Sequence, residues 1–373
     1  MKAGAGMRWV AGFRSAVISP YEQIQFNEPR GFADQTVRQV LHLAGGGEQL
    51  RVHLTNRYGR APLTIGAATV ATPRGRAHLT VDGAGEFAIP PGEEVVSDPV
   101  DLPVTAGTDL TLSLYLPGET GLATYSHKPA QTAYILGGNQ VTAATASGGE
   151  GVEGRFYVSG VDVLAPDGTP VAVAFGDSWF EGVGSTADAN HRSVDFLNRR
   201  LRRGWVVNQG IAGNRLLRDG VGEHALARFD RDVLSIPGRT HVLVHFGIND
   251  LGLPGMTGEP PPTADALVEG FTTLAERAHR AGLKILAATI GPFAGAAYPG
   301  ISTPKSLAIR REVNDWIRTT GVFDAVFDVA RAVEDPVTAD YIRPDLDSGD
   351  GMHLNDRGAR AMADAVDLRT LAG

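Results

Sequence analysis

The chain has 373 residues, of which 43% are hydrophobic and 20% charged; 34 basic and 42 acidic side chains give a formal charge of −8, and cysteine is absent. That length exceeds what one hydrophobic core usually supports, so two folding units are expected, with a composition ordinary for a globular protein. A net negative chain repels a polyphosphate backbone, which excludes nucleic acid as an expected partner, and the missing cysteines exclude disulfides, thiolate metal sites and a cysteine nucleophile.

The first twenty residues carry Lys2, Arg8 and Arg14 and never assemble the apolar stretch of a leader. The chain as it stands is therefore expected to be cytoplasmic, with secretion the alternative should a leader precede it. No apolar run reaches the roughly 18 residues of a membrane-spanning helix.

Residues 1–165 read as strands. Leu50, Val52 and Leu54 alternate with polar neighbours, as do Leu110, Leu112, Leu114 and Leu116, and period two marks half-buried antiparallel strands. Tyr58-Gly59, Pro91-Gly92 and Pro117-Gly118 punctuate these runs without a long helical pattern between them, so an all-β sandwich is expected. Ala143 to Gly154, rich in small residues, is expected to be an exposed loop. The turn formers of Ala165-Pro166-Asp167-Gly168-Thr169-Pro170 mark the expected boundary, giving domains 1–165 and 166–373.

Beyond it the period changes. Val171 to Phe175, Trp205 to Asn208, His241 to Phe246, Leu283 to Ile290 and Ala325 to Val329 read as short apolar strands separated by helical patterns, the rhythm of a parallel sheet covered on both faces. Leu267, Val268, Phe271, Leu274 and Ala278 form a helical stripe between Thr263, an N-cap, and Gly282, a stop signal; a second helix is expected from about Asp356 to Val366.

Ligands of such sheets bind outside the carboxyl ends of the strands. The first strand ends in Gly176-Asp177-Ser178, the second in Asn208-Gln209-Gly210-Ile211-Ala212-Gly213-Asn214-Arg215, the third in Gly247-Ile248-Asn249-Asp250, and Asp350-Gly351-Met352-His353 follows the fifth. A serine needs a neighbouring base to lose its proton, and the base needs an acceptor that fixes its tautomer; Ser178, His353 and Asp350 suit those roles. The oxyanion of acyl transfer calls for preorganised donors, which the backbone N–H groups of Ser178 and Gly213 and the side-chain amide of Asn249 can supply.

Other polar residues have simpler readings. Asp177 is expected to be a helix cap rather than a catalyst, Gly210 a turn residue, His241 and His245 structural, and Arg199, Arg200, Arg202 and Arg203 a solvated helix end. Asp345, Asp347 and Asp350 do not make a calcium loop, because Gly349 and Asp356 stand where ligands belong; no metal and no cofactor are expected. Glu181 and Asp250 as a glycosidase pair would leave Ser178, Asn249 and His353 unexplained. Phe180 stands where a GxSxG elbow requires glycine, which disfavours the α/β-hydrolase fold.

These four blocks, in this order over residues 171–370, resemble those of the SGNH, or GDSL-like, hydrolases. The resemblance implies a flavodoxin-like α/β/α catalytic domain with five parallel strands, Ser178 as nucleophile, Gly213 and Asn249 as oxyanion donors, and His353 as base with Asp350 three residues ahead. Phe32-Ala33-Asp34-Gln35-Thr36-Val37-Arg38-Gln39 and Arg51-Val52-His53-Leu54-Thr55-Asn56-Arg57-Tyr58-Gly59 are similar to the β-domain that precedes this catalytic domain in a group of actinobacterial GDSL-type proteins. One departure is Trp179, where a small or aliphatic residue commonly follows the serine; it is expected to reshape the pocket beside the nucleophile.

The leading expectation is a serine esterase or lipase acting on small-molecule or carbohydrate O-acyl esters through an acyl-enzyme. Two alternatives stay open: acyl transfer to a sugar or natural-product hydroxyl by the same triad, and a catalytically silent carbohydrate-binding protein. The Gly252 to Pro262 and Gly291 to Lys305 segments are expected to be loops bordering the crevice.

Overall fold

The computed structural model describes residues 6–371. Met1 to Ala5, part of the stretch read for a leader, and Ala372 and Gly373 lie outside the described residues, as do the extreme ends of the two expected domains. The chain divides into two compact units, Met1–Thr169 and Pro170–Gly373.

The first unit is an antiparallel β-sandwich. One sheet orders Met7–Arg14, Val158–Pro166, Leu50–Thr55 and Glu94–Val96. The other orders Glu150–Glu153, Thr132–Gly137, Gln35–His42, Asp109–Leu116, Ala67–Thr72 and Gly75–His78. Alternation decides what is buried: Leu50, Val52 and Leu54, and Leu110, Leu112, Leu114 and Leu116, are all sealed from solvent. On the opposite face of the first sheet Asp162, itself fully buried, takes Arg14 at 2.5 Å, Arg51 at 2.9 Å and His53 at 3.0 Å. The expected loop from Ala143 to Gly154 instead ends in an edge strand. Glu150 to Glu153 pairs with Thr132 to Ile135, and its exposed side chains hide the apolar alternation by which strands are recognised.

The second unit is a three-layer α/β/α domain. Its parallel strands are β1 (Val171–Gly176), β2 (Trp205–Gly210), β3 (Arg239–His245), β4 (Lys284–Ala288) and β5 (Ala325–Phe327), in the order β2-β1-β3-β4-β5. This is the flavodoxin-like order, whose switch point lies between β1 and β3. Every residue of β1 is buried, as a central parallel strand covered on both faces requires.

The helices are α1 (Ser178–Glu181), α2 (Ser193–Arg200), α3 (Ala225–Phe229), α4 (Ile248–Thr257), α5 (Ala264–Arg280), α6 (Pro304–Thr319), α7 (Val329–Val333) and α8 (Asp356–Asp364). They pack in two groups: α8 against α2 and α7, and α5 and α6 together with α3 and α4. In α5 the stripe Leu267, Phe271, Leu274 and Ala278 is sealed from solvent, Val268 sits at its margin, and the Thr263 hydroxyl accepts from the Ala266 N–H at 3.2 Å. Among the described residues no helix is long and apolar enough to cross a membrane.

Two sequence expectations need correction. Gly252 to Thr257 is helical, the second half of α4, although Pro254 lies inside it and has no N–H for the preceding turn. Burial of Ile248, Leu251 and Leu253 on the core side outweighs that loss, and the helix ends at Gly258, in the left-handed region at φ 75°. Asp328 and Val329 are not the end of the fifth strand, because Asp328 caps α7 by accepting from the Arg331 N–H.

Candidate active site

The carboxyl ends of β1, β2 and β3 each deliver a segment to one place. Asp177 caps α1, its Oδ1 accepting from the Trp179 N–H at 3.1 Å, so Ser178 opens the helix directly after the strand. Gly176 is required just before it: a Cβ there would lie 2.6 Å from both the His245 carbonyl and the Phe180 ring. After β2 the chain turns through Gly213, whose φ of 81° favours glycine. Gly210 is the last residue of that strand rather than part of a turn, and it is packed so tightly that a Cβ would come within 2.3 Å of the Glu181 nitrogen. After β3, Gly247 at φ 113° turns the chain into α4, which places the buried Asn249 in its first turn.

The segment before α8 supplies the histidine. His353 Nε2 lies 3.0 Å from Ser178 Oγ, and His353 Nδ1 lies 2.6 Å from Asp350 Oδ2. Asp350 Oδ1 accepts from the N–H groups of Met352 at 2.9 Å and His353 at 2.8 Å and from the Ser348 hydroxyl at 3.1 Å. The Tyr298 hydroxyl donates to Asp350 Oδ2 at 3.2 Å. Burial by itself would raise the Asp350 carboxyl; the bond and charge of His353 and the backbone donors outweigh it and hold the group well below the usual carboxylate range. A carboxylate so held stays ionised and orients the imidazole.

Ser178 and His353, 175 residues apart along the chain, are therefore in direct contact, with Asp350 bonded to the other ring nitrogen. Gly213 and Asn249 are joined through one residue, since Asn249 Nδ2 donates to the carbonyl of Asn214 at 3.1 Å. That bond uses one amide hydrogen and leaves the second for a ligand.

Several groups that position this site were not assigned that role in the sequence. Glu181 and Asp250, weighed there as a glycosidase pair, clamp the Gly213 loop from two sides. Glu181 Oε2 accepts from the Ala212 N–H at 2.5 Å, and the two Asp250 oxygens accept from Leu216 at 2.8 Å and Leu217 at 3.0 Å. Burial pushes the Asp250 carboxyl up to about 6, against the pull of those two N–H groups and of Arg215, and with a smaller push from Asp177.

Arg228, sealed from solvent, donates to the carbonyls of Gly176 at 2.9 Å and Gln209 at 3.0 Å and to Asn214 Oδ1 at 3.0 Å. It thus ties together the ends of β1 and β2, and nothing in its local sequence announces it. His245, expected to be structural, is sealed from solvent and lies 2.9 Å from a carboxylate oxygen, Asp177 Oδ1. Trp179 is the residue expected to reshape the pocket beside the nucleophile. Its side chain is buried, with the indole N–H donating to the Met352 carbonyl at 3.0 Å.

The flavodoxin-like sheet thus delivers Ser178 just past the end of β1, and the loop before α8 brings His353 to it with Asp350 bonded to the far side of the imidazole, within an α/β/α domain. The chain belongs to the GDSL-like lipase/acylhydrolase family, whose model matches residues 174–361, half of its length, and it is a carboxylic ester hydrolase. Among solved structures it is similar to a GDSL-like lipase from Bacteroides thetaiotaomicron, 16% identical over 55% of this chain and 89% of that one, TM-score 0.42. It is similar also to the aryl esterase of M. smegmatis, 15% identical over 54% and 99%, TM-score 0.41. A carbohydrate esterase family 2 enzyme plus carbohydrate binding domain from Corynascus thermopiles (Myceliophthora fergusii) matches 98% of this chain and 99% of its own at 11% identity, TM-score 0.43. No curated protein matches the sequence.

Proposed function

We propose that the protein hydrolyses short-chain O-acyl esters of small molecules or sugars through an acyl-enzyme on Ser178. The reading rests on one observation, the unbroken chain from Ser178 Oγ through His353 to Asp350 at 3.0 and 2.6 Å. His353 Nε2 takes the hydroxyl proton as Oγ attacks the ester carbon, and Asp350 stabilises the imidazolium. The backbone N–H groups of Ser178 and Gly213 and the amide of Asn249 receive the negative oxygen of the tetrahedral intermediate.

The imidazolium then gives its proton to the departing alcohol, which leaves Ser178 acylated. Water, deprotonated by the same imidazole, attacks the acyl carbon, and the imidazolium returns that proton to Ser178 Oγ as the acyl–oxygen bond breaks and the acid leaves. Ser178→Ala should abolish hydrolysis of a chromogenic acetyl ester, and a fluorophosphonate should label Ser178 stoichiometrically. Near wild-type turnover in that variant would end this reading, and a screen of acetylated sugars, aryl esters and longer acyl chains defines the alcohol and acyl parts.

A further inference from the structure

Trp179 directly follows the proposed nucleophile, yet its side chain points into the protein, 4% exposed. Its ring stacks on the His245 imidazole with centroids 4.9 Å apart and planes 16° from parallel. Asp177 Oδ1 joins both partners, accepting from the Trp179 backbone N–H at 3.1 Å and lying 2.9 Å from His245 Nδ1. The other side of the indole is closed by Gly291, where a Cβ would lie 2.2 Å from a ring carbon. Ser178 is therefore bracketed by two residues that are both fastened to the buried end of β3. From this anchored base the indole N–H reaches the carbonyl of Met352, the residue immediately before His353, at 3.0 Å.

We propose that Trp179 is a positioning residue for His353: its indole N–H, bonded to the Met352 carbonyl, sets the distance between the nucleophile's helix and the loop that carries the base. The inference rests on the assignment of Ser178 as nucleophile and goes beyond it. The chemistry requires such a device. Proton transfer works only when the two heavy atoms stay within about 2.6–3.2 Å, and a displacement of 1 Å costs on the order of a hundredfold in rate.

Within the loop, Asp350 and the Ser348 N–H bond hold its internal shape, including the bond to the His353 carbonyl at 2.9 Å. Those bonds do not reach Ser178; the indole contact ties the loop to the serine's own helix. A tryptophan suits the task because two torsions place a large rigid body, and a buried indole N–H demands a partner.

Two variants of the full-length enzyme test this. Trp179→Phe deletes the donor together with part of the ring, and β-(3-benzothienyl)alanine incorporated at position 179 deletes the donor at constant ring shape. Both should lower kcat by about tenfold to a hundredfold, with KM within about threefold, because the loss is in transition-state geometry rather than binding. Rates are taken per Ser178 reactive towards fluorophosphonate. The downfield proton resonance of the His353–Asp350 hydrogen bond should broaden in both.

Should Trp179→Phe not fold, the isosteric variant decides. Turnover per labelled site within twofold of wild type overturns the proposal, whether or not the melting temperature falls, and so does a rise in KM alone. Failure of the probe to label Ser178 in the wild-type enzyme would instead remove the underlying assignment, so the two failures are distinguishable.

Discussion

Asp250→Asn tests how the Gly213 loop is held. The Asp250 carboxyl sits at about 6 in the folded protein, about two units above an ordinary aspartate. Below about pH 4 it is protonated in both the folded and the unfolded chain. Between about 4 and 6 the folded chain keeps a proton that the unfolded chain has released, so stability falls as pH rises. Above 6 the loss is complete, and two units correspond to ~3 kcal/mol. Asparagine has nearly the same shape and does not titrate. The stability of Asp250→Asn minus that of wild type should therefore increase by ~3 kcal/mol between pH 4 and pH 7.

Activity should move the other way. Asparagine offers one carbonyl oxygen to two N–H groups, those of Leu216 and Leu217, which the two carboxylate oxygens now share at 2.8 and 3.0 Å. The loop that presents Gly213 loosens, and kcat should fall by about tenfold, a fraction of the loss from deleting an oxyanion donor outright. Urea titrations at half-unit pH steps, with initial rates at each pH, provide both measurements. A stability difference that is flat with pH, or that moves in favour of wild type as pH rises, would refute the reasoning.

Further outcomes are expected. Asp350→Asn should cost about 10⁴-fold in kcat while the fold survives, because the imidazole loses the partner that fixes its tautomer. Since Asp350 is held well below the usual carboxylate range, the acid-side loss of wild-type activity should follow one proton, read from the slope of log kcat/KM against pH. Gly291→Ala, whose Cβ would meet the indole at 2.2 Å, should shift Trp179 and lower kcat without a matching change in KM.

In the first unit, Asp162→Asn leaves the cations of Arg14 and Arg51 without their shared anion and should cost about 3–5 kcal/mol in urea unfolding. Burial opposes the charge on His53, but its bonds to Asp162 and Glu94 win and raise its value. His53 therefore contributes stability that is full below about pH 6.5 and disappears as pH rises through the raised value, a dependence that Asp162→Asn should weaken.

The sequence by itself determined the strand and helix rhythm of the second unit and the apolar alternation of the first, because burial on one face imprints a period on the residues. It also placed Ser178, Gly213, Asn249, Asp350 and His353 in segments expected after strands, since a parallel sheet puts every such segment at the same edge. Helix α4 was not legible: Pro254 and two glycines read as a loop locally, and only the burial of Ile248, Leu251 and Leu253 makes a helix of it.

Nor could spacing say which way Trp179 turns, because the space that receives it is built by His245 at the end of β3 and Gly291 in the segment after β4. The partners of Arg228, Glu181 and Asp250 belong to tertiary structure for the same reason. Their bonds to the Gly176, Gln209, Ala212, Leu216 and Leu217 main chain are long-range bonds to backbone groups, which every residue carries alike, so the identity of the partner leaves no mark in the sequence.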